Sequence, residues 1–312
     1  MTSAHSAEGL GDALRGLGLR EGDVVLVHAS LRNVGRTEQG AATVVDALRR
    51  AVGPAGTIVV PAFTEANSLT SRAHREQIRG MTDEQVVAFR AAMPAFDPAT
   101  TPSTGMGAVA ERLRTTPGAR RSDHPQTSMA AAGPLAHAIT AHHPLDCHLG
   151  EASPLGHLYR LRAQVLLLGV GFERCTALHL AEYRLPNPPR RTYSCVLTTG
   201  DGLERGRSWT DFEDVALDDG DFAELGSWLE GQALGSGQPL VRHGRIGSAS
   251  ARLLPLSPAV DFAVRWLQEH RSTQPKGWPF TQRSGTASTP KTVAAAMSPW
   301  VRIPHPPQMN GS

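Results

Sequence analysis

Short runs of apolar residues alternate with segments of helical periodicity along most of the chain. The first run, at 24–27, is followed by a loop, by a segment at 43–52 with apolar residues on one helical face, and by a second run at 58–60. A strand, a helix and a second strand in this order form a βαβ unit, which has parallel strands and a right-handed crossover. The pattern therefore predicts an α/β fold.

A third apolar run is the one around which the chain is organised. Val165 to Leu168 are too few to cross a membrane and enough for a buried strand. Gly169 and Gly171 follow and allow a tight turn, and Thr176 is the predicted N-cap of the next helix. Open α/β sheets bind ligands at such a junction, beyond the carboxyl ends of their strands.

His179 and Glu182 are the candidate catalytic pair of this helix. Their spacing of three residues places both side chains on one helical face. A histidine with a carboxylate beside it suits a general base and the group that orients it. The same spacing is equally typical of a core histidine hydrogen-bonded to a helix-capping glutamate, so spacing alone does not separate the two.

The loop between Ser30 and Ala41 is a candidate anion site. Backbone amides at Ser30, Leu31, Gly40 and Ala41, with the start of the following helix, are suited to a phosphate. The loop has neither the GxxxxGKS/T pattern of a Walker A loop nor a GxGxxG pattern. An ordinary solvated loop between a strand and a helix is the commoner explanation of such a segment.

The character of the chain changes over about 64–120, which is polar and irregular with one predicted helix at 83–93. A long insertion of this kind after a strand often forms a lid or a wall that binds an acceptor. Glu65, Asn67 and Asp97 are its candidate polar contacts. Taken singly, each carboxylate is more typical of a solvated surface charge.

Composition narrows the class of protein. The 312 residues, 40% of them hydrophobic, are enough for one large α/β domain or two smaller ones. A net charge of +2 without a basic stripe argues against nucleic acid as a partner. The three cysteines, Cys147, Cys175 and Cys195, have no CxxC or Cys/His spacing, so we expect neither a metal site nor a disulfide framework.

The first and last stretches of the sequence differ from the body of the chain in their patterns. The first residues lack a basic region followed by an apolar one, so we expect no signal peptide, no transmembrane segment and a cytoplasmic location. Residues 271–312 are rich in Ser, Thr, Pro and Gly with little periodicity. We therefore expect a single domain over 1–270 and a flexible tail over 271–312.

Seven segments resemble the aminoglycoside 3-N-acetyltransferases and together cover most of residues 10–270 in that family's order. They are VHASLRNVG at 27–35, GAATVVDALRRAVGPAGTIVVPAFT at 40–64, FDPATTPSTGMGAVAERLRTTPGARRSDHPQTSMAAAGP at 96–134, GEASPLGHLYRL at 150–161, VLLLGVG at 165–171, TALHLAEY at 176–183 and GRIGSASARLL at 244–254. The resemblance is more specific than any single motif and favours an enzyme.

The resemblance implies the antibiotic N-acetyltransferase fold, with a mixed, largely parallel central sheet flanked by helices. This is not the GNAT fold, whose signature R/Q-x-x-G-x-G/A has a different spacing from the segment 164–171. It also implies a transferase that moves the acetyl group of acetyl-CoA directly to an amine of an aminoglycoside-type antibiotic. Acetyl-CoA is then the co-substrate, and no metal is needed. Whether the protein forms a homodimer is left open.

The resemblance also assigns roles to residues. His179 is implied as the general base and Glu182 as its orienting partner, with Thr176 and Ser128 as candidate donors to the thioester oxygen. The residues expected to bind acetyl-CoA are Ser30, Leu31, Arg32, Val34, Gly35, Gly40, Ala41 and Ser128. The residues expected to bind the amine are Glu65, Asn67, Asp97, His124 and Glu151.

One feature departs from a pocket built for a polycation, which should be rich in Asp and Glu. The insertion carries five basic or histidine residues: Arg72, His74, Arg75, Arg79 and Arg90. The alternative is the same chemistry on a non-aminoglycoside amine, in antibiotic biosynthesis or self-protection. A protein that binds CoA without catalysis is a third alternative, against which the presence of both His179 and Glu182 argues.

Overall fold

A central sheet of seven strands and a separate two-stranded hairpin carry the β-structure. In the computed structural model, which describes residues 4–64, 67–199 and 206–271, the strands are β1 (Val24–Ala29), β2 (Thr57–Pro61), β3 (Arg120–Arg121), β4 (Met129–Ala132), β5 (Gln164–Leu168), β6 (Arg190–Thr199), β7 (Gly206–Val215), β8 (Arg242–Ile246) and β9 (Ala249–Pro255). β6 and β7 form the hairpin, and the other seven form the central sheet.

The central sheet has the order β3-β4-β2-β1-β5-β9-β8. Its three inner strands are parallel, because β1 pairs in parallel with both β2 and β5. β4 and β9 run antiparallel to their neighbours on both sides. Five of the seven strands therefore point in one direction, which confirms the predicted mixed, largely parallel sheet and the parallel βαβ unit.

Helices cover both faces of this sheet. Over the described residues they are α1 (Ala7–Leu17), α2 (Leu31–Val34), α3 (Ala41–Val52), α4 (Arg72–Gln77), α5 (Asp83–Ala92), α6 (Ala108–Arg114), α7 (Ala136–Thr140), α8 (Pro154–Arg160), α9 (His179–Tyr183), α10 (Phe222–Glu230) and α11 (Leu256–Arg271). None of the helices in this part of the chain has the length and hydropathy that a membrane crossing requires.

Both faces of the inner strands are buried, which explains why β5 is apolar at successive positions. Val165 and Leu167 belong to a core that also contains residues of α8, α9, α10 and α11. Leu166 and Leu168 point the other way, into a core formed with α1, α3 and α6. The fold thus places α9, with its His and Glu, over one face at the carboxyl end of β5.

The start of α9 differs from the prediction. Thr176 is not its N-cap, because residues Thr176–Leu178 form a 3-10 turn and the α-helix begins at His179. The reason is local: a preceding 3-10 turn, Phe172–Arg174, already reverses the chain after β5, and the two turns together replace the first helical turn.

The insertion is fastened to the hairpin. The buried Asn67 amide bonds the backbone of Val196 twice, through its Oδ1 at 2.8 Å and its Nδ2 at 3.2 Å. Arg207 donates to the carbonyl oxygens of Met93 and Ala91, both at 2.5 Å. The predicted tail lies outside the described residues except for Arg271, which ends α11.

Candidate active site

A cleft of about 370 Å³ opens beyond the carboxyl ends of the three inner parallel strands. Its lining is formed by 27–30 at the end of β1, Pro61 and Phe63 after β2, 105–107 in the insertion, Val170 after β5, 173–176, His179, Asp219 and Phe222. This is the place where open α/β sheets bind ligands. The sequence prediction for the junction after β5 is therefore matched by the position of the cleft.

His179 and Glu182 form a hydrogen-bonded pair at the wall of this cleft. Nδ1 of His179 lies 2.6 Å from Oε2 of Glu182. The side chain of Glu182 is only 2% exposed, whereas that of His179 is 14% exposed and lines the cleft. With Nδ1 held by the carboxylate, Nε2 is the nitrogen that His179 offers as a proton acceptor.

The second oxygen of Glu182 is also bonded. Oε1 accepts from the backbone amide of Asp218 at 3.0 Å and from Nη1 of Arg271 at 2.6 Å. Bonds to both oxygens fix the plane of the carboxylate, so Oε2 faces His179. The Phe222 ring, whose centroid lies 4.7 Å from that of His179, packs against the imidazole. The pair is held from several sides before any substrate arrives.

A second histidine, His28, lies at the end of β1 and lines the same cleft. Alternation along the strand places it on the face of Leu26, which is the face covered by α9. Burial, followed by the nearby charge of His179, lowers the pKa of His28 to about 3, so this ring stays neutral at physiological pH. Its buried Nε2 has no hydrogen-bond partner within the described part of the chain.

The loop from Ser30 to Ala41 begins at the cleft, since Ser30 lines it. Ser30 is not a free amide donor, because its N–H already bonds the Leu168 carbonyl oxygen at 2.9 Å. The first amides of α2 and of α3 lack intrahelical acceptors, as in every helix. α3 begins after Gly40, which has φ 61 and no side-chain cap. The amides of this loop that lack an intrahelical acceptor are therefore those at the two helix starts.

Gly169, which directly follows β5, contacts the loop that begins at Ser30. Its φ of 68 is typical of glycine, and a Cβ there would lie 2.7 Å from Cβ of Asn33. Nδ2 of Asn33 donates to the Gly169 carbonyl oxygen at 2.6 Å. A side chain at 169 would separate α2 from β5, so the glycine keeps the two halves of the site together.

Thr176 and Ser128 are the predicted donors to the thioester oxygen, and Cys175 directly precedes Thr176. Thr176 lines the cleft and is nearly buried, as its predicted role requires. Cys175 also lines the cleft, but burial raises the pKa of its thiol to about 12, so it stays protonated. Ser128 is fully buried, donates to the Ala62 carbonyl oxygen at 2.8 Å and accepts from Nε of Arg121 at 2.9 Å. Its hydroxyl is thus occupied within the core.

Of the residues predicted to bind the amine, the four that the structure describes do not line the cleft. Asn67 holds the hairpin. His124 is fully buried, where Nε2 faces the Leu145 carbonyl oxygen and Nδ1 accepts two backbone amides. Oδ1 of Asp97 caps a turn at Ala99, and Glu151 pairs with Arg184 on the surface. The remaining one, Glu65, lies outside the described residues.

The structure instead brings two other carboxylates to the cleft, Glu173 and Asp219, beside Arg174. Sequence reasoning missed them, although Asp219 stands in the acidic run ALDDGDF at 216–222 and Glu173 lies within the central stretch. Both are exposed. They are the described acidic side chains within reach of a cation in the cleft.

Comparison with known proteins gives one family. The family model described as aminoglycoside 3-N-acetyltransferase matches residues 26–268. An aminoglycoside N(3')-acetyltransferase-like protein, YokD, from Bacillus subtilis is 35% identical over 85% of this chain and 93% of its own. Aminoglycoside N(3)-acetyltransferase III from Salmonella sp is 37% identical over 87% of this chain and 94% of its own.

Solved structures agree with the sequence matches. The crystal structure of YokD from Bacillus subtilis superimposes with a TM-score of 0.79 at 34% identity, covering 88% of this chain and 97% of that one. The binary complex of AAC-IIIb with CoASH superimposes with a TM-score of 0.71 at 33% identity, covering 86% of this chain and 97% of that one.

Proposed function

The chain belongs to the aminoglycoside 3-N-acetyltransferase family and is a CoA-dependent N-acetyltransferase; on that premise we propose that it acetylates an amine of an aminoglycoside, with His179 as general base. The observation that carries the proposal is the His179–Glu182 pair, joined at 2.6 Å on the wall of the cleft. The proposal includes direct transfer of the acetyl group from the thioester to the amine.

His179 does the proton chemistry in this proposal. An ammonium group has no lone pair, so the amine must lose a proton to attack the thioester carbon. Nε2 of His179 accepts that proton while Glu182, bonded at Nδ1, supports the imidazolium that forms. The N–C bond forms and the C–S bond breaks. One proton of the ammonium passes through His179 to the sulfur of the departing CoA, and a second proton of that nitrogen leaves to solvent, so the products are a neutral amide and a thiol. Positioned acid–base catalysis of this kind contributes on the order of 100- to 10,000-fold.

The loop from Ser30 to Ala41 is the proposed site for the CoA pyrophosphate. The amides at the starts of α2 and α3 and the positive ends of these helices favour an anion. Arg32, exposed on α2, adds a positive charge beside them. Acetyl-CoA supplies the acetyl group, and we expect its thioester to enter the cleft that Ser30 and His179 both line.

Thr176 is the proposed donor to the thioester oxygen, which becomes negative as the amine attacks. It lines the cleft three residues before the base, whereas the hydroxyl of Ser128 is already bonded in the core. A single donor at such an oxygen is worth about 3 kcal/mol. Cys175 takes no covalent part, since its buried thiol is protonated.

Glu173 and Asp219 are the proposed contacts for the cationic acceptor. The insertion also lines the cleft, through residues 105–107. Two carboxylates at the cleft favour a polyamine over a neutral acceptor. Arg174 at the same cleft, with exposed Arg75 and Arg79 in the insertion, favours the alternative of a non-aminoglycoside amine. The identity of the acceptor amine should therefore be determined first.

A thiol-release assay with acetyl-CoA and a panel of amines tests the function. The panel contains aminoglycosides with and without a free 3-amine, and amines that are not aminoglycosides. We expect thiol release only with a free 3-amine, and loss of release in His179→Asn. Release with a non-aminoglycoside amine alone would establish the alternative, and no release with any amine would overturn both.

A further inference from the structure

Arg271, the last residue of α11, reaches from the end of the helix to the catalytic pair. Its Nη1 lies 2.6 Å from Oε1 of Glu182. Its Nε and Nη2 lie 2.7 Å from the two oxygens of Asp221, and Nη2 also donates to the Asp218 carbonyl oxygen at 2.7 Å. One guanidinium thus bonds three residues that surround His179.

We propose that Arg271 is a positioning residue for the His179–Glu182 pair: it holds Glu182 in the orientation that His179 needs. The proposal rests on the proposed function, because it assumes that His179 is the base. Arg271 does not line the cleft, so it acts through Glu182 and not on the substrate.

This role of Arg271 follows first from the burial of Glu182. Its side chain is 2% exposed, and a buried carboxylate is unfavourable unless charges and hydrogen bonds compensate it. An imidazole carries a positive charge only while it holds a second proton. Within the described residues, Arg271 is the permanent cation bonded to Glu182. Arg271 therefore compensates the buried carboxylate whether or not His179 holds the proton.

The directions of the hydrogen bonds made by Arg271 also fit this role. Nη1 occupies Oε1 together with the Asp218 amide, which leaves Oε2 for Nδ1 of His179. Asp221 grips the other side of the guanidinium through both of its oxygens and prevents it from turning. A planar fork is required for four bonds in these directions, and the single ammonium group of a lysine does not reproduce it.

The electrostatics of Arg271 agree with this role. Burial lowers the pKa of its guanidinium, but the hydrogen bonds to Asp221 and Glu182 outweigh burial and raise the pKa. The guanidinium is bound tightly enough to serve as a fixed charge. Asp221 directly precedes Phe222, whose ring packs on His179, so the same anchor also fixes the start of α10 against the base.

The test compares Arg271→Gln and Arg271→Lys with Arg265→Gln, an exposed arginine of the same helix that lies over the Phe262 ring. We expect kcat to fall about 10- to 100-fold in both Arg271 variants, as for a misplaced catalytic group, and to stay normal in Arg265→Gln. The dissociation constant for acetyl-CoA should stay within twofold in all three. Melting temperatures measured on the same samples give the folded fraction.

Two readouts separate positioning from a merely structural role. In a Glu182→Gln background, Arg271→Gln should lower kcat no further, because both residues act through His179. The pH profile of kcat/KM should change in Arg271→Gln and stay as in the wild type in Arg265→Gln, since only the former variant removes the cation bonded to Glu182. The other groups that face this pair, His28, Asp218, Asp219 and Asp221, are unchanged in this variant.

The outcomes are distinct. Folded Arg271→Gln with normal kcat, while His179→Asn is inactive, would overturn the positioning role and leave the proposed function standing. Additive losses of kcat in the double variant would show that Arg271 does not act through Glu182 and would overturn the positioning role. Normal turnover by His179→Asn would instead overturn the proposed function.

Discussion

Two histidine–carboxylate pairs lie on the same side of the central sheet and differ in what surrounds them. His179–Glu182 is joined at 2.6 Å and His148–Asp214 at 2.7 Å, and both carboxylates are almost completely buried. The imidazole of His179 is 14% exposed at the cleft, whereas that of His148 is 2% exposed. Bond length therefore does not distinguish a base from a structural pair.

The difference is the second ring nitrogen. Nε2 of His148 faces Oε1 of Gln126 at 2.8 Å, and Nε2 of Gln126 in turn donates to the Ser194 carbonyl oxygen at 3.0 Å. Neither nitrogen of His148 is left to take a proton from a substrate. His179 has a carboxylate at Nδ1 and open space at Nε2. A histidine that can act as a general base is therefore recognised by a ring nitrogen without a hydrogen-bond partner, and not by its carboxylate.

The His148–Asp214 pair serves the packing of the hairpin. Oδ2 of Asp214 also accepts from the hydroxyl of Tyr183, at 2.5 Å, and the His148 ring packs against Tyr193 and Phe212 of the hairpin strands. Burial raises the pKa of Asp214, but the hydrogen bonds from His148 and Tyr183 outweigh it and lower the pKa. The carboxylate stays ionised and joins β7 to α9.

The largest expected effect in this comparison is on stability. Asp214→Asn removes a charged acceptor that is bonded by Nδ1 of His148 and by the Tyr183 hydroxyl. It should lower the free energy of unfolding by about 3–5 kcal/mol, since a hydrogen bond to a charged group is worth about 1.5–3 kcal/mol. The folded fraction should still turn over normally. Urea denaturation measures the loss, and Glu213→Gln, exposed on the same strand, is the control expected to change it by less than about 0.5 kcal/mol. A stable, inactive Asp214→Asn protein would remove the distinction between the pairs.

The next effect is that of the co-substrate. Acetyl-CoA at 100 times its dissociation constant should stabilise the fold by about 2.7 kcal/mol, because it binds the folded state only. The shift should persist in His179→Asn, since the imidazole is assigned to the amine and not to the phosphates. Thermal scans with and without acetyl-CoA measure it. Absence of a shift in the wild type at saturation would contradict the assignment of the loop from Ser30 to Ala41.

The smallest effect, for a change of one pH unit, concerns acid. Burial lowers the pKa of His143, in the cluster around His148, to about 3 from an ordinary 6.5. The unfolded chain binds this proton below about pH 6.5 and the folded chain does not, so stability falls as the pH drops from 6.5 towards 3. The slope should be roughly 1 kcal/mol per pH unit for this group. Urea titrations at several pH values should show a shallower slope in His143→Gln; an unchanged slope would exclude His143.

Much of the fold could be predicted from the sequence, because its inner strands are buried on both faces and appear as continuous apolar runs. The short strand β4 could not, since Met129–Ala132 is an alanine-rich segment that favours a helix in isolation. It becomes a strand because it pairs with β2 in the core. Tertiary pairing decided this element, and no local pattern reports it.

The candidate site was predictable where its residues are close in sequence. His179 and Glu182 are three apart, so periodicity alone places them on one face. Arg271 and Asp219 reach the site from distant parts of the chain, and a composition-based boundary at 270 even excluded Arg271. Polar residues of the insertion were chosen as ligand contacts, yet Asn67 satisfies the backbone of the hairpin. In a loop, neighbouring backbone groups compete with a ligand for the hydrogen bonds of a polar side chain.

The central claim is that His179, and not a buried histidine, takes the proton of the amine. The most direct measurement is the single-turnover rate of His179→Asn, with its melting temperature taken on the same sample. The account predicts a protein as stable as the wild type whose rate is lower by roughly 100- to 10,000-fold. A stable His179→Asn protein with a near-normal rate would contradict it.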